Sequence, residues 1–201
     1  MALISVSNNA LQNITAVPAS IPTGALVLLS TQTASASASI EFTSGLDSTY
    51  DSYVFKFINM HQSAVSHLQF QCSTNGGSSY GIPMTTTFVK AVHDEADTVG
   101  ALQYDTGSDL AQSTSFQLLT ENSSNNDGEC TCGILTLYSP SSTTYVKHFI
   151  STMQHNRDTP QYSDNFYVAG YLNTTSAINA IKFQMNTGTM DDGIIKMYGV
   201  K

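Results

Sequence analysis

Tryptophan is absent, charge is scarce, and no catalytic signature interrupts the chain. Only 11% of the 201 residues are Asp, Glu, Lys or Arg, against roughly 25% in an ordinary globular protein. The seven Lys and Arg are scattered, and the closest basic pair is Lys196 and Lys201. Nucleic-acid binding needs clustered basic side chains to displace counterions, and an anionic membrane surface needs the same. With a formal charge of -8, neither partner is expected. No window is apolar and long enough to span a bilayer. The opening MALISVSNNALQN has neither a basic start nor a continuous apolar run, so no signal peptide is expected. The protein is expected to fold in the cytoplasm where it is made.

Three cysteines make an odd count and no disulfide framework. Cys72 is in phase with Leu68 and Phe70 and is expected in the core. Cys130 and Cys132 form C-x-C without the second pair that a zinc site needs. Residues i and i+2 of a strand share a face, so both sulfurs are expected to point inward. No metal and no cofactor is expected.

Motifs for a serine hydrolase elbow, a zinc protease, a Walker loop or a dinucleotide-binding turn are all missing. Of the histidines at 61, 67, 93, 148 and 155, only His93 has carboxylates nearby in sequence, at Asp94, Glu95 and Asp97. Hard cations want several carboxylate oxygens, but this spacing fits a solvated acidic turn better. Glu41, Glu95, Glu121 and Glu129 are the carboxylates available to a glycosidase, which needs two facing each other. Sequence alone pairs none of them. The chain is therefore not expected to be an enzyme. Tyr50, Tyr53, Tyr80, Tyr104, Tyr162 and Tyr167 are candidate platforms for a glycan.

What is present is strand after strand. Alternation of apolar and polar residues marks strands at 25–32, 36–43, 52–59, 66–72, 82–90, 113–119, 133–138, 144–151, 165–172, 177–185 and 193–199. Tyr53, Phe55 and Phe57 share one face, as do Ile181, Phe183 and Met185. Asn75-Gly76-Gly77 supplies a hairpin turn. Segments 91–104 and 108–112 are the only places expected to hold a helical turn. This pattern predicts an all-β domain at 25–201, an antiparallel two-sheet β-sandwich that is jelly-roll-like. Residues 1–24 differ, with Pro18 and Pro22 and no clean period. They are expected to form an extended N-terminal arm. Its apolar residues Ile4, Val6, Leu11, Ile14 and Val17 are the candidate interface residues, seeking a groove on their own domain or on a neighbour. Neutral Ser, Thr, Asn and Gln fill the surface. Such groups lose less solvation on burial than ions do, which suits repeated contact with protein subunits or glycans.

The stretches SASASIEFTSGLDSTYDSYVFKFINM (35–60), HLQFQCSTNGGSSY (67–80), SSTTYVKHF (141–149) and VAGYLNTTSAINAIKFQMNTGTMDDGIIKMYGV (168–200) resemble small virion proteins of tailed phages of aquatic bacteria, cyanophages among them. The resemblance implies a structural role on the virion, as a capsid decoration (cement) protein or, as the alternative, a tail-fibre or head-fibre module that binds host glycans. A cement protein would have itself, as a homotrimer, and the major capsid protein as partners. Gly45, Asp47 and Asp51 would bracket a tight connection between strands and carry no chemistry.

Overall fold

The computed structural model describes residues 26–157 and 161–201. Twelve strands and no helix occur among them. In chain order they are β1 (Val27–Thr33), β2 (Ile40–Phe42), β3 (Ser52–Gln62), β4 (Leu68–Ser73), β5 (Met84–Asp94), β6 (Gly100–Tyr104), β7 (Gln117–Leu118), β8 (Thr131–Tyr138), β9 (Lys147–Arg157), β10 (Tyr162–Leu172), β11 (Ala180–Met185) and β12 (Met190–Val200). All pairing is antiparallel, in an eight-stranded sheet ordered β1-β12-β3-β8-β9-β10-β5-β6 and a four-stranded sheet ordered β2-β11-β4-β7.

The order has a simple logic. β1 pairs with β12, β2 with β11, β3 with β8 and β4 with β7. This nested pairing, rolled into two sheets, is the jelly roll. Two hairpins are added to it: β5–β6 between β4 and β7, and β9–β10 between β8 and β11. They join through the β10–β5 pairing and widen one sheet from four strands to eight.

Alternation explains what lies between the sheets. Tyr53, Phe55 and Phe57 on β3 are buried, as are Leu68, Phe70 and Cys72 on β4 and Ile181, Phe183 and Met185 on β11. The Phe183 ring sits at the centre of these, 5.0 Å from Phe57, 5.3 Å from Phe55, and 6.3 Å from Phe42 and Phe70. Offset and edge contacts of this kind are favourable beyond area burial. The β2–β3 connection is fixed from the core: the Asp47 N–H donates to Tyr53 Oη at 3.0 Å, and that hydroxyl donates to the Asp47 carbonyl at 2.9 Å. Gly45 turns the chain there at φ +82°, a conformation in which side chains are strained. Asp47 Oδ1 accepts from the Thr49 N–H at 2.8 Å. Gly45 and Asp47 are thus turn-builders.

Two expectations change. The segment 91–104 holds no helical turn: β5 continues to Asp94, the chain reverses, and β6 pairs back along β5. The acidic run is the reason. Asp94 Oδ1 accepts the N–H groups of Thr98 at 2.8 Å and Val99 at 2.7 Å, and Oδ2 accepts the Thr98 hydroxyl. Hydrogen bonding to Thr98 and Val99 holds the Asp94 carboxyl below its usual pKa. The segment 108–112 is also not helical, because Thr86 captures its backbone: the Leu110 N–H donates to Thr86 Oγ1 at 2.8 Å, and the Thr86 N–H to the Leu110 carbonyl at 2.9 Å.

Two outcomes follow for stability. Phe183→Ala empties the contact between the sheets and should cost about 3–5 kcal/mol, lowering Tm by roughly 10 °C in a calorimetric scan. Lys147 is fully buried, with its Nζ donating to the Thr174 carbonyl at 3.1 Å, and burial pushes its pKa below the ordinary 10.5. Its charged form is disfavoured in the folded state, so this group adds stability as pH rises from the depressed pKa toward 10.5. Urea titrations across the alkaline range should show that gain in the native chain and lose it in Lys147→Met.

Candidate functional site

The small sheet covers the widened half of the large sheet only in part, with Phe70 of β4 against Phe149 of β9 at 4.9 Å. The rest of its inner face is covered by the segment 105–129, coil apart from the two residues of β7, and coil in that position must find partners for its polar groups. β5, β9 and β10 supply them from inward-facing positions.

One set has the composition of a hydrolase triad. The β9–β10 register places His155 opposite Asp164, with Nε2 3.3 Å from Asp164 Oδ2. On the other side of the ring, Nδ1 is 2.8 Å from Ser123 Oγ. The sequence gives no local sign of this, since the hairpin brings together residues nine apart and Ser123 comes from the overlying coil. Ser123 Oγ also lies 2.9 Å from Thr120 Oγ1 and 3.4 Å from Thr131 Oγ1. Ser123 and His155 are each 1% exposed and Asp164 is 3% exposed. A nucleophile needs open space for a reacting carbon beside its oxygen. Here the hydroxyl is enclosed by three neighbours, and the geometry is that of a strut.

A second set completes the strut. Lys90 Nζ is 2.8 Å from Asp105 Oδ2 and 2.7 Å from Glu121 Oε2. Ser108 Oγ donates to the other Glu121 oxygen. Gln117 is fully buried, accepting from Thr86 Oγ1 at 2.5 Å and donating to the Ser108 carbonyl at 2.9 Å. Burial pulls the Lys90 pKa down, but its bonds to Asp105 and Glu121 outweigh that and raise it.

The residues singled out from sequence fall in separate places. His93 Nε2 is 3.2 Å from Asp97 Oδ1 on an exposed turn, while the Asp94 carboxylate faces the turn's own backbone. Among the described residues, no group of three or more His, Cys, Asp or Glu is placed to hold a metal ion. Glu41 is engaged by Tyr80 at 2.9 Å and Lys182 at 3.1 Å, and Glu121 by Lys90. Cys72 is buried as expected, but the C-x-C pair does not point inward. Thr131, between the two cysteines, takes the core position, so both sulfurs turn to the other side. There they meet Asn59 Oδ1, at 3.9 Å from Cys130 and 3.6 Å from Cys132. Burial and the neighbouring Cys132 push the Cys130 thiol up, so it stays protonated and weakly reactive. Of the candidate platforms, Tyr53 is in the core and Tyr50 packs against it. Tyr104 and Tyr167 are exposed and share one face.

That face is the outer side of the eight-stranded sheet, and it has the most distinctive chemistry of the surface. Strand registers align it in rows. One row runs Leu28, Tyr198, Val54, Thr136, Ile150, Ala169, Thr87. The next runs Thr31, Lys196, Lys56, Ile134, Thr152, Tyr167, Val89, Tyr104. A third runs Cys132, Gln154, Asn165, Ala91, Leu102. Not one carboxylate stands in these rows, although the chain has fifteen. Ile150 is 53% exposed, Tyr167 49% and Leu102 74%. The small sheet differs: its outward positions carry the Glu41–Lys182 ion pair and the Gln184–Gln69 pair. The face is also indented. Ala169 forms a low floor, and Tyr138, His148, Ile150, Tyr171 and Thr85 stand around it, enclosing about 540 Å³. Its rim is polar, because Gln112 Nε2 donates to Thr85 Oγ1 at 2.7 Å and Tyr171 Oη at 3.2 Å, while Gln112 Oε1 accepts from Asn173 Nδ2 at 2.7 Å.

A sequence signal for this face exists. In GILTLY both phases are apolar, with Leu135 and Leu137 inward and Ile134 and Tyr138 outward. A strand apolar in both phases presents apolar side chains on both faces of its sheet. The candidate interface residues Ile4, Val6, Leu11, Ile14 and Val17 lie outside the described residues.

Ser123→Ala removes the buried hydroxyl that meets His155 Nδ1 and Thr120 Oγ1 and should cost about 1–3 kcal/mol in urea denaturation. A fluorophosphonate probe should leave Ser123 of the native chain unlabelled, and a labelled Ser123 would overturn its role as a strut. No protein-family model, no curated protein and no solved structure matches the chain.

Proposed function

We propose that this protein is a structural subunit of a bacteriophage particle, a capsid decoration protein that stabilises the shell as a homotrimer through contacts with the major capsid protein. Jelly rolls serve as both capsid proteins and lectins, and a fold alone does not choose between functions. The observation that carries the reading is the outer face of the eight-stranded sheet, whose rows hold no carboxylate and expose Ile150, Tyr167 and Leu102. Eight strands spaced about 4.8 Å apart and four outward positions about 6.7 Å apart give a face of roughly 700 Å². That is similar to the area of about 800 Å² that each partner contributes to a standard interface. Patches larger than a few hundred Å² mark interaction sites on soluble proteins. The resemblance of residues 25–200 to phage virion proteins supports the particle as the setting. A protein that binds only the assembled lattice stabilises it by mass action.

One observation favours a second reading, a fibre module for host glycans. The groove at Ala169 combines Tyr138 and Tyr171 with an amide rim from Gln112 and Asn173, a pairing of aromatic walls and directed hydrogen bonds that suits sugar rings.

Ile150→Glu with Tyr167→Glu should leave Tm nearly unchanged, since both side chains are half exposed. The same pair should strip the protein from purified capsids and disperse its trimer in light scattering. Quantitative mass spectrometry of the virion should find a copy number approaching that of the major capsid protein. A few dozen copies or fewer would assign it to the tail and favour the glycan reading.

A further inference from the structure

We propose that copies of this chain join edge to edge through the eight-stranded sheet, with β6 of one copy pairing antiparallel with β1 of the next. The inference rests on the assembly reading only in that copies of the chain meet one another.

β1 and β6 are the two edges of that sheet. An open edge is a template for another chain, and proteins guard it with very short strands, charges, proline or bulges. The small sheet is guarded in this way: β2 has three residues and carries Glu41, and β7 has two residues. The large sheet is not. β1 reads VLLSTQT and β6 reads GALQY, with no charge and no proline in either. A bulge between Leu28 and Ser30 leaves residues 31–33 in regular register.

The hydrogen bonds show which backbone groups are open. The Asp94 N–H donates to the Val99 carbonyl at 3.1 Å, and the Asp105 N–H to the Phe88 carbonyl at 2.9 Å. Bonded pairs alternate along an antiparallel ladder, so the N–H and C=O groups of Gly100, Leu102 and Tyr104 point away from β5. The Ala34 N–H donates to the Gly193 carbonyl at 2.9 Å. By the same alternation, Thr31 and Thr33 turn their backbone groups away from β12. Among the described residues, these outward groups meet no other backbone group.

The two edges match. Strand direction alternates across the eight strands, so β1 and β6 run opposite ways. A copy set beside another in the same orientation therefore meets it antiparallel. Thr31, Thr33, Leu102 and Tyr104 all carry their side chains on the outer face, and directly opposite residues of a ladder share a face. Tyr104 against Thr31 and Leu102 against Thr33 thus joins the open groups and continues that face across the seam. A twofold pairing of β1 with β1, or of β6 with β6, leaves the other edge open. Head-to-tail pairing uses both edges of every copy, and a closed ring has none left.

The test places the photo-crosslinker p-benzoylphenylalanine at position 104 of the full-length protein. Isotopically light and heavy copies are mixed before irradiation, and the products are mapped by mass spectrometry. Within one copy seven strand spacings separate β6 from β1, about 34 Å at 4.8 Å each, beyond the reach of the crosslinker. The expected light–heavy product joins position 104 of one copy to a peptide containing residues 27–33 of another. Light–heavy products that join β6 to β6 overturn the inference and leave the assembly reading standing, as does an oligomer in light scattering that yields no product with β1. A monomer at every concentration overturns both. Leu102→Pro removes an outward N–H at an edge position, where proline is tolerated. It should abolish the crosslink at an unchanged far-ultraviolet circular dichroism spectrum, while Leu102→Ala, which keeps that N–H, should retain it. Loss of the crosslink in both variants would trace the contact to the Leu102 side chain and overturn pairing through the backbone.

Discussion

The meeting of two sheets through one group of phenylalanine rings is the contact on which the molecule depends. Phe183 from the small sheet lies among Phe55 and Phe57 from the large one, with Phe42 and Phe70 at its sides. Everything else is arranged around it. Strands on either side inherit their inward phase from it, since a shift of one residue would turn every side chain to the wrong face. Tyr53 extends the same cluster and anchors the turn at Asp47.

Beyond the reach of the small sheet, the core changes character. The β9–β10 and β5–β6 hairpins enlarge one sheet without enlarging the other, and the segment 105–129, coil apart from β7, covers much of the inner face that results. Coil buries peptide groups that no ladder satisfies, so Gln117, Ser123, His155, Lys90 and Glu121 work as fixed partners. A constellation that resembles a catalytic site is thereby explained by the topology: where a sheet outgrows its partner, polar side chains replace the missing strands. Buried hydrogen bonds of this kind fix one arrangement of a coil where apolar packing alone would permit several.

Much of the fold was legible because β-strands announce their phase. SHLQFQC and AINAIKFQM placed their buried residues correctly from alternation alone. The failures have local causes. AVHDEADTVGALQY looked helical because its acidic residues lack a period of two, yet they form the turn of a hairpin through Asp94. The C-x-C pair was assigned to the core because alternation fixes which residues share a face and not which face that is. His155 and Asp164 were illegible as a pair, because only the β9–β10 register brings them together. The outer face was legible in part, through strands apolar in both phases, but its lack of carboxylates emerges only when six or more strands are set side by side.

The nested pairing carries a consequence for how the molecule is made. β12, the last in chain order of the described strands, lies between β1 and β3 and separates them. Until residues near Val200 leave the ribosome, β1 has no neighbour in its sheet and β3 lacks one side of its ladder. The domain therefore closes only once β12 has been made, and its slowest contacts are those of highest sequence separation. A copy that lacks β12 therefore carries an unpaired β1 and an open edge on β3.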